Sequence, residues 1–347
     1  MTIPKFENAF RNHDTLRRLA RHHSLADRLV FVFFDPWTLL TQTAEPLLRA
    51  ICAHGFSVAS LRCCRLEEGD VEQIYRKNLP IRPDNAWHLP RQVYLMGVSL
   101  GLLLYHCDAK ATDLLSRIKG KANPAVNARG HLRYDFRAPN RSLSLMHSSD
   151  TWEDTLHEAL VFFGPHVLEH ALEQIERQPP VGAVPAPSWD LGLEVIRRSS
   201  PSSLLVRVRL RAAAALRRVS SAHSPEVLRA LDSLTCLWNE HVAADDASSP
   251  VIEAMRAYLG LVQSERPLLR GLLDCSPSTY TLEYQRLYHR AEDPAADLLR
   301  LLSVLNRPEE YVHVNTEALL RSIGVLRDRW EELLFKTTLF NFDDYLS

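Results

Sequence analysis

The chain has 347 residues, 46% of them hydrophobic, with 12 Gly and 20 Pro, which is enough for two ordinary domains, each with its own core. With 41 Lys+Arg against 42 Asp+Glu the charges nearly cancel, which argues against a nucleic-acid or anionic-membrane partner. The first residues, MTIPKFENAFRNHD, mix acids with bases around no apolar core and do not read as a signal peptide, and no stretch reaches the roughly 18 apolar residues that a membrane span needs. Cys52, Cys63, Cys64, Cys107, Cys236 and Cys275 show no metal-binding spacing, so reduced thiols in a cytoplasmic protein are expected.

In chain order, residues 1–27 are read as an N-terminal helical extension. Arg28–Phe34 is a β-branched and aromatic run stopped by Asp35-Pro36, the pattern of a buried strand. Thr43–His54 has helical periodicity and ends at Gly55, a good residue just past a helix. Phe56–Leu66 reads as a second strand, Glu68–Asn78 as a short helix, Ser99–Cys107 as a third strand and Ala111–Arg117 as a helix. Leu143–His147 is a short strand, and Thr151–Phe163 an amphipathic helix with Ser149 or Asp150 available as its cap. The order β-α-β-β-α-β with extra helices suits an α+β fold, one antiparallel sheet backed by helices.

Prolines crowd the segment Gln178–Pro187, so 178–203 reads as a linker closing a domain of residues 28–177. Beyond it, residues 204–347 read as an all-α domain. Leu204–Ser220, Pro225–Ala243, Pro250–Val262, Tyr280–Ala291, Ala295–Leu305 and Thr316–Leu334 carry apolar residues at three-and-four spacing, several after a Ser-Pro or Asp-Pro start. No strict repeat period appears, which favours a bundle over a solenoid. Arg207, Arg209, Arg211, Arg217 and Arg218 read as a solvated helix face, and the tail Leu339–Leu346 as an apolar segment that docks on the bundle.

The chemistry concentrates in residues 119–164. Gly120 precedes Asn123-Pro124-Ala125; then come Gly130-x-x-Arg133-x-Asp135-Phe136, His147-Ser148-Ser149-Asp150-Thr151, Glu158 and Phe162-Phe163. This run resembles the nucleoside diphosphate kinases, in which a G-x-x-N-P-A loop leads to G-x-x-R-x-D-F, to a strand ending H-G-S-D-S, and to a Glu before an aromatic pair. Weaker agreement reaches back through Tyr75 to the first strand, so the likeness spans residues 28–164 and none of the helical half. It implies a ferredoxin-like antiparallel sheet with helices, of the nucleoside diphosphate kinase type.

The resemblance also implies roles. His147 would attack the γ-phosphorus of a nucleoside triphosphate and hold the phosphoryl group covalently, splitting one transfer into two in-line steps. Glu158 would accept the other ring N–H and so fix the tautomer. Ser149 would sit near the phosphoryl oxygens, and Arg133, Tyr75, Arg117 and Asn123 would contact nucleotide or phosphate. Asp150 would help position Mg²⁺ through water, the metal being held chiefly by the nucleotide phosphates. A homo-oligomer is common in that family.

The departures are specific. Where the family has a Lys before Pro that touches sugar hydroxyl and phosphate, this chain has Asp35; the Asn ahead of the His is Ser144, the Thr before Asn-Pro is Ala122, and the Gly after the His is Ser148. The expected Arg falls on Ser116, with Arg117 beside it, and the nucleotide-gripping helix is replaced by RPDNAWHLPRQVYL, where Trp87 is the candidate base-stacking ring. Each residue also has a bland reading: Arg133 and Asp135 as a local ion pair, Tyr75 as core, Asp150 as a helix cap, Asp35 as a turn residue. The expectation is therefore a phosphotransferase with an altered, unknown acceptor. A catalytically silent nucleotide sensor or scaffold, or the same pocket turned to another reaction in specialised metabolism, is the rival.

Overall fold

The computed structural model describes residues 17–77, 88–108, 110–180, 200–219, 225–244, 249–274, 301–302, 305, 326, 328–342 and 345. Of the expected features, Trp87, the helix Tyr280–Ala291 and most of the 178–203 linker lie outside them. The chain divides into two compact units, Met1–Arg198 and Ser199–Ser347.

The first unit is built on a four-stranded antiparallel sheet whose strands, counted along the chain, lie side by side in the order second, third, first, fourth. The strands are β1 (Leu29–Phe34), β2 (Ser57–Arg65), β3 (Val98–Tyr105) and β4 (Met146–Ser148). Every residue of β1 is buried, which explains its unbroken LVFVFF run: a central strand covered on both faces has no polar alternation to show. Between the strands run α1 (Pro36–Leu40), α2 (Ala44–Ala53), α3 (Glu68–Ile74), α4 (His88–Leu95), α5 (Ala111–Lys119) and α6 (Leu132–Asp135). After β4 come α7 (Trp152–Phe163) and α8 (Pro165–Arg177).

Helix α7 lies against β1, β2 and β3 and carries an almost wholly buried face. Its Phe162 packs so closely on β3 that a Cβ at Gly101 would stand 2.4 Å from the ring, so this contact requires glycine. Arg62 on β2 donates to the carbonyls of Phe162 and Phe163, each at 3.1 Å, and so satisfies the C-terminal end of α7. The cap at the other end differs from expectation. Thr151, rather than Ser149 or Asp150, accepts from the Asp154 amide, because Ser149 is drawn inward and Asp150 outward. Asp35 is likewise no simple turn residue: its side chain caps α1 by accepting from the Thr38 amide at 2.8 Å.

In the second unit α9 (Pro201–Val219), α10 (Pro225–Ala244) and α11 (Val251–Asp274) pack on one another, and α12 (Arg329–Phe340) packs on α9. Helix α9 starts ahead of the expected Leu204, and α11 runs past the expected end at Val262, through Pro267. The expected helix Thr316–Leu334 does not pass through Asp328, whose extended backbone and side-chain bonds to the Trp330 and Glu331 amides start α12 there.

The basic run on α9 is not one solvated face. Arg209 is fully buried and pairs with Glu265, and Arg211 pairs with Glu331 at 2.6 Å, while Arg217 and Arg218 are exposed. Of the C-terminal aromatics, Phe342 and Tyr345 are buried and Phe340 is exposed. Among the described residues no helix is long and apolar enough to cross a membrane, and Cys52, Cys63, Cys64, Cys107 and Cys236 are free thiols.

Candidate functional site

His147 is the middle residue of β4 and stands opposite Phe33 of β1. Antiparallel pairing puts the two side chains on one face, with ring centroids 5.2 Å apart, and Tyr75 closes on the imidazole edge-on at 4.8 Å. From α7 the Glu158 carboxylate reaches the ring: His147 Nε2 and Glu158 Oε2 are 2.8 Å apart. The Ser149 hydroxyl donates to the same oxygen at 2.6 Å. An oxygen that receives two such groups is an acceptor, so in the neutral imidazole the proton belongs on Nε2 and the lone pair on Nδ1. The His147 side chain is 16% exposed and that of Glu158 7%, so the pair is sheltered but not sealed.

The backbone leading to His147 is unusual. Leu145, fully buried, has φ +70, a conformation that side-chain-bearing residues rarely take. Such a residue costs of order 1–3 kcal/mol and persists only where its surroundings hold it. Three consecutive carbonyls supply that hold. Arg133 donates through Nε to Ser144 O at 3.1 Å and through Nη2 to Met146 O at 2.7 Å, and Thr38 Oγ1 lies 2.7 Å from Leu145 O. Arg133 also donates through Nη1 to Gly120 O at 2.9 Å, which ties the 120–137 loop to the outer edge of β4.

Asp35 belongs to this clamp. Its Oδ1 lies 2.7 Å from the same Thr38 hydroxyl, so one hydroxyl proton stands between two oxygens. Burial pushes the Asp35 carboxyl above its ordinary range, while its hydrogen bonds from Thr38 act in the opposite sense. The residue that breaks the kinase pattern therefore faces Thr38 and the strained turn.

The remaining candidates lie in different places. Tyr75 is buried beside His147 with its hydroxyl 2.7 Å from that of Tyr94 and the two rings stacked at 5.3 Å; burial and the neighbouring Tyr94 push Tyr75 well up. Asn123 caps the 3-10 turn Pro124–Val126, accepting from the Ala125 amide at 2.9 Å. Arg117 is exposed on the last turn of α5, and Asp150 is exposed just after β4. The Asp135 carboxylate accepts from the Gly130 amide at 3.2 Å, and among the described residues it forms no ion pair with Arg133. No group of three metal-type ligands occurs among the described residues. A single exposed Asp150 fits a cation that arrives with phosphates better than one caged by protein.

Three contributors were not singled out in the sequence. Thr38 hides in a short helix with no motif of its own, and Tyr94 in the rebuilt 82–95 segment. Lys119, buried at the end of α5, donates to the Ser148 hydroxyl. Its signal was present: the charge falls on the buried side of an amphipathic helix, directly before Gly120. A separate cavity of about 400 Å³, lined by Ala20, His23, Arg76, Trp152, Glu153, Leu156 and His157, does not include His147.

No family model and no curated protein matches this chain. Among solved structures it is similar to a nucleoside diphosphate kinase from Encephalitozoon cuniculi, at 15% identity and a TM-score of 0.36, covering 40% of this chain and 91% of that one. It is also similar to the nucleoside diphosphate kinase of Aquifex aeolicus, at 16% identity and a TM-score of 0.34, covering 38% and 92%.

Proposed function

We propose that the first unit is a phosphotransferase of the nucleoside diphosphate kinase type with an altered acceptor site, its sheet being the ferredoxin-like one of the expected β-α-β-β-α-β order. The observation that carries the reading is the Glu158–His147 bond at 2.8 Å, with Ser149 on the same carboxylate oxygen, at the positions the motif assigns to nucleophile, base partner and serine. The lone pair on Nδ1 forms the N–P bond to the γ-phosphorus as the bond to the bridging oxygen breaks and the nucleoside diphosphate leaves; an acceptor oxygen then takes the phosphoryl group. Glu158 stabilises the ring as positive charge develops. Mg²⁺ brought by the nucleotide phosphates would neutralise their charge, and Asp150 would be the residue that helps to hold it. The helical unit is read as a separate domain, and a cytoplasmic homo-oligomer is part of the same reading.

Incubation of the full chain with γ-labelled ATP and Mg²⁺ is expected to give an acid-labile label that His147→Ala abolishes. No label from any nucleoside triphosphate overturns the covalent mechanism. One observation favours a catalytically silent nucleotide binder instead: Arg133 spends its donors on backbone carbonyls, and Asn123 spends its side chain on its own turn. That reading expects thermal stabilisation by nucleotide, without turnover and indifferent to His147→Ala.

A further inference from the structure

Helix α5 ends with a lysine that turns inward. Lys119 is 8% exposed, and its ammonium donates to the Ser148 hydroxyl, its one hydrogen-bond partner among the described residues. Arg133, 7% exposed, lies close enough to weigh on the Lys119 charge, and its own donors go to carbonyls and the Ser144 hydroxyl. Neither cation has a carboxylate at ion-pair distance among the described residues. Two neighbouring buried cations without acids in contact are unfavourable unless an anion joins them. Burial, with Arg133 second, pushes Lys119 down to about 8, while Asp150 and Glu158 act in the opposite sense.

The position ties this charge to the candidate site. Ser148 follows His147 directly in β4, and Glu158, which holds His147, is near enough to act on Lys119. Lysine thus comes to Ser148 from α5 and glutamate to His147 from α7, on consecutive residues of one strand. Arg133 gives four of its five N–H donors to Gly120 O, Ser144 and Met146 O; Lys119 has two N–H groups beyond the one given to Ser148.

We propose that Lys119 is the phosphate-binding cation of this site, its ammonium oriented by Ser148, in place of the lysine that the kinase pattern has where this chain has Asp35. Its ligand would be the phosphate oxygens of a nucleoside triphosphate, a choice that rests on reading His147 as a phosphoryl acceptor.

The test measures binding of Mg·ATP and of pyrophosphate to the full chain by calorimetry, for the wild type, Lys119→Met and Lys119→Arg. Lys119→Met should weaken both ligands by at least about tenfold, and Lys119→Arg should keep most of the affinity, because a charge-assisted bond is lost in one and kept in the other. Without ligand, Lys119→Met should melt at a higher temperature than wild type, since it removes an unpaired buried charge; a lysine with a purely structural role would give the opposite shift. As a measurement needing no variant, acetic anhydride should acylate Lys119 at mildly alkaline pH, and Mg·ATP should protect it. Unchanged affinity in Lys119→Met, or acylation indifferent to Mg·ATP, overturns the assignment even if His147 takes up label. Wild type that binds Mg·ATP through Lys119 but leaves His147 unlabelled overturns the phosphotransferase reading and keeps this one.

Discussion

Each unit of the molecule buries a cluster of charged side chains, and the two clusters are finished differently. In the helical unit Arg209 and Glu265 are both wholly buried, and Arg209 Nε and Nη2 reach Glu265 Oε1 at 3.2 and 3.1 Å. The Trp238 indole donates to the other carboxylate oxygen, Leu305 O accepts from Arg209 at 2.7 Å, and the Tyr258 ring lies 5.0 Å from the guanidinium. Around His147, by contrast, one side chain is partly open to solvent, Lys119 has a single hydrogen-bond partner among the described residues, and Leu145 holds a strained backbone. A network with every group answered pins helices in register, whereas the surroundings of His147 leave Lys119 with donors to spare beside a strained backbone.

The largest expected effect breaks the closed cluster. Glu265→Ala should cost about 3–5 kcal/mol, read by denaturant unfolding of the full chain, because it strands a buried guanidinium. Replacing both partners, as Arg209→Met with Glu265→Leu, should recover most of the loss. A single-variant loss under about 1 kcal/mol would show that the cluster is not sealed from water, and the contrast with the first unit would collapse.

Next in size is Glu158→Gln. The amide keeps the shape and can still accept from Nε2, yet it carries no charge to balance the imidazolium that forms on phosphorylation. The rate of His147 labelling should fall by about 10²–10⁴ with little change in melting temperature. An unchanged rate would leave Glu158 as a packing residue.

Thr38→Val tests the clamp. Removing the hydroxyl takes one donor each from Leu145 O and Asp35 Oδ1 in a buried site and leaves each with a backbone amide, a loss of about 1 kcal/mol. Thr38→Ser should restore stability and labelling together. If Thr38→Val lowers stability but leaves the labelling rate intact, the strained turn supports the fold and does not place His147.

How much of this was legible in the sequence differs along the chain. The six-residue apolar run of β1 and the periodicity of α2 announced themselves because burial on one or both faces leaves a pattern in residue type. The His147–Glu158 pairing was visible through the kinase-like motif, which fixes a strand and the following helix together. The clamp was not, because Thr38 and Arg133 hold the turn at Leu145 through backbone carbonyls, which have no letter in the sequence. Arg209 was misjudged for a related reason: an arginine on a helix surface reads as solvated until its partner, here Glu265 on another helix, is known.

The smallest effect concerns Asp35 and has a definite sign in pH. Its folded carboxyl is pushed up, chiefly by burial, so the folded chain holds that proton more tightly than the unfolded chain does. The resulting stabilisation is complete below the ordinary carboxylate value of about 3.9 and is lost as pH rises through the raised folded value. Asp35→Asn cannot titrate, and asparagine still accepts from the Thr38 amide at a helix start. The melting temperature of the variant minus that of wild type should therefore climb from pH 4 toward neutrality. A difference that stays flat, or that falls, would mean that Asp35 is ionised in the fold. The hydroxyl between it and Leu145 would then be committed to the carboxylate, and the turn before His147 would rest on Arg133 and on the Asp35 amide, which lies 3.3 Å from Leu145 O.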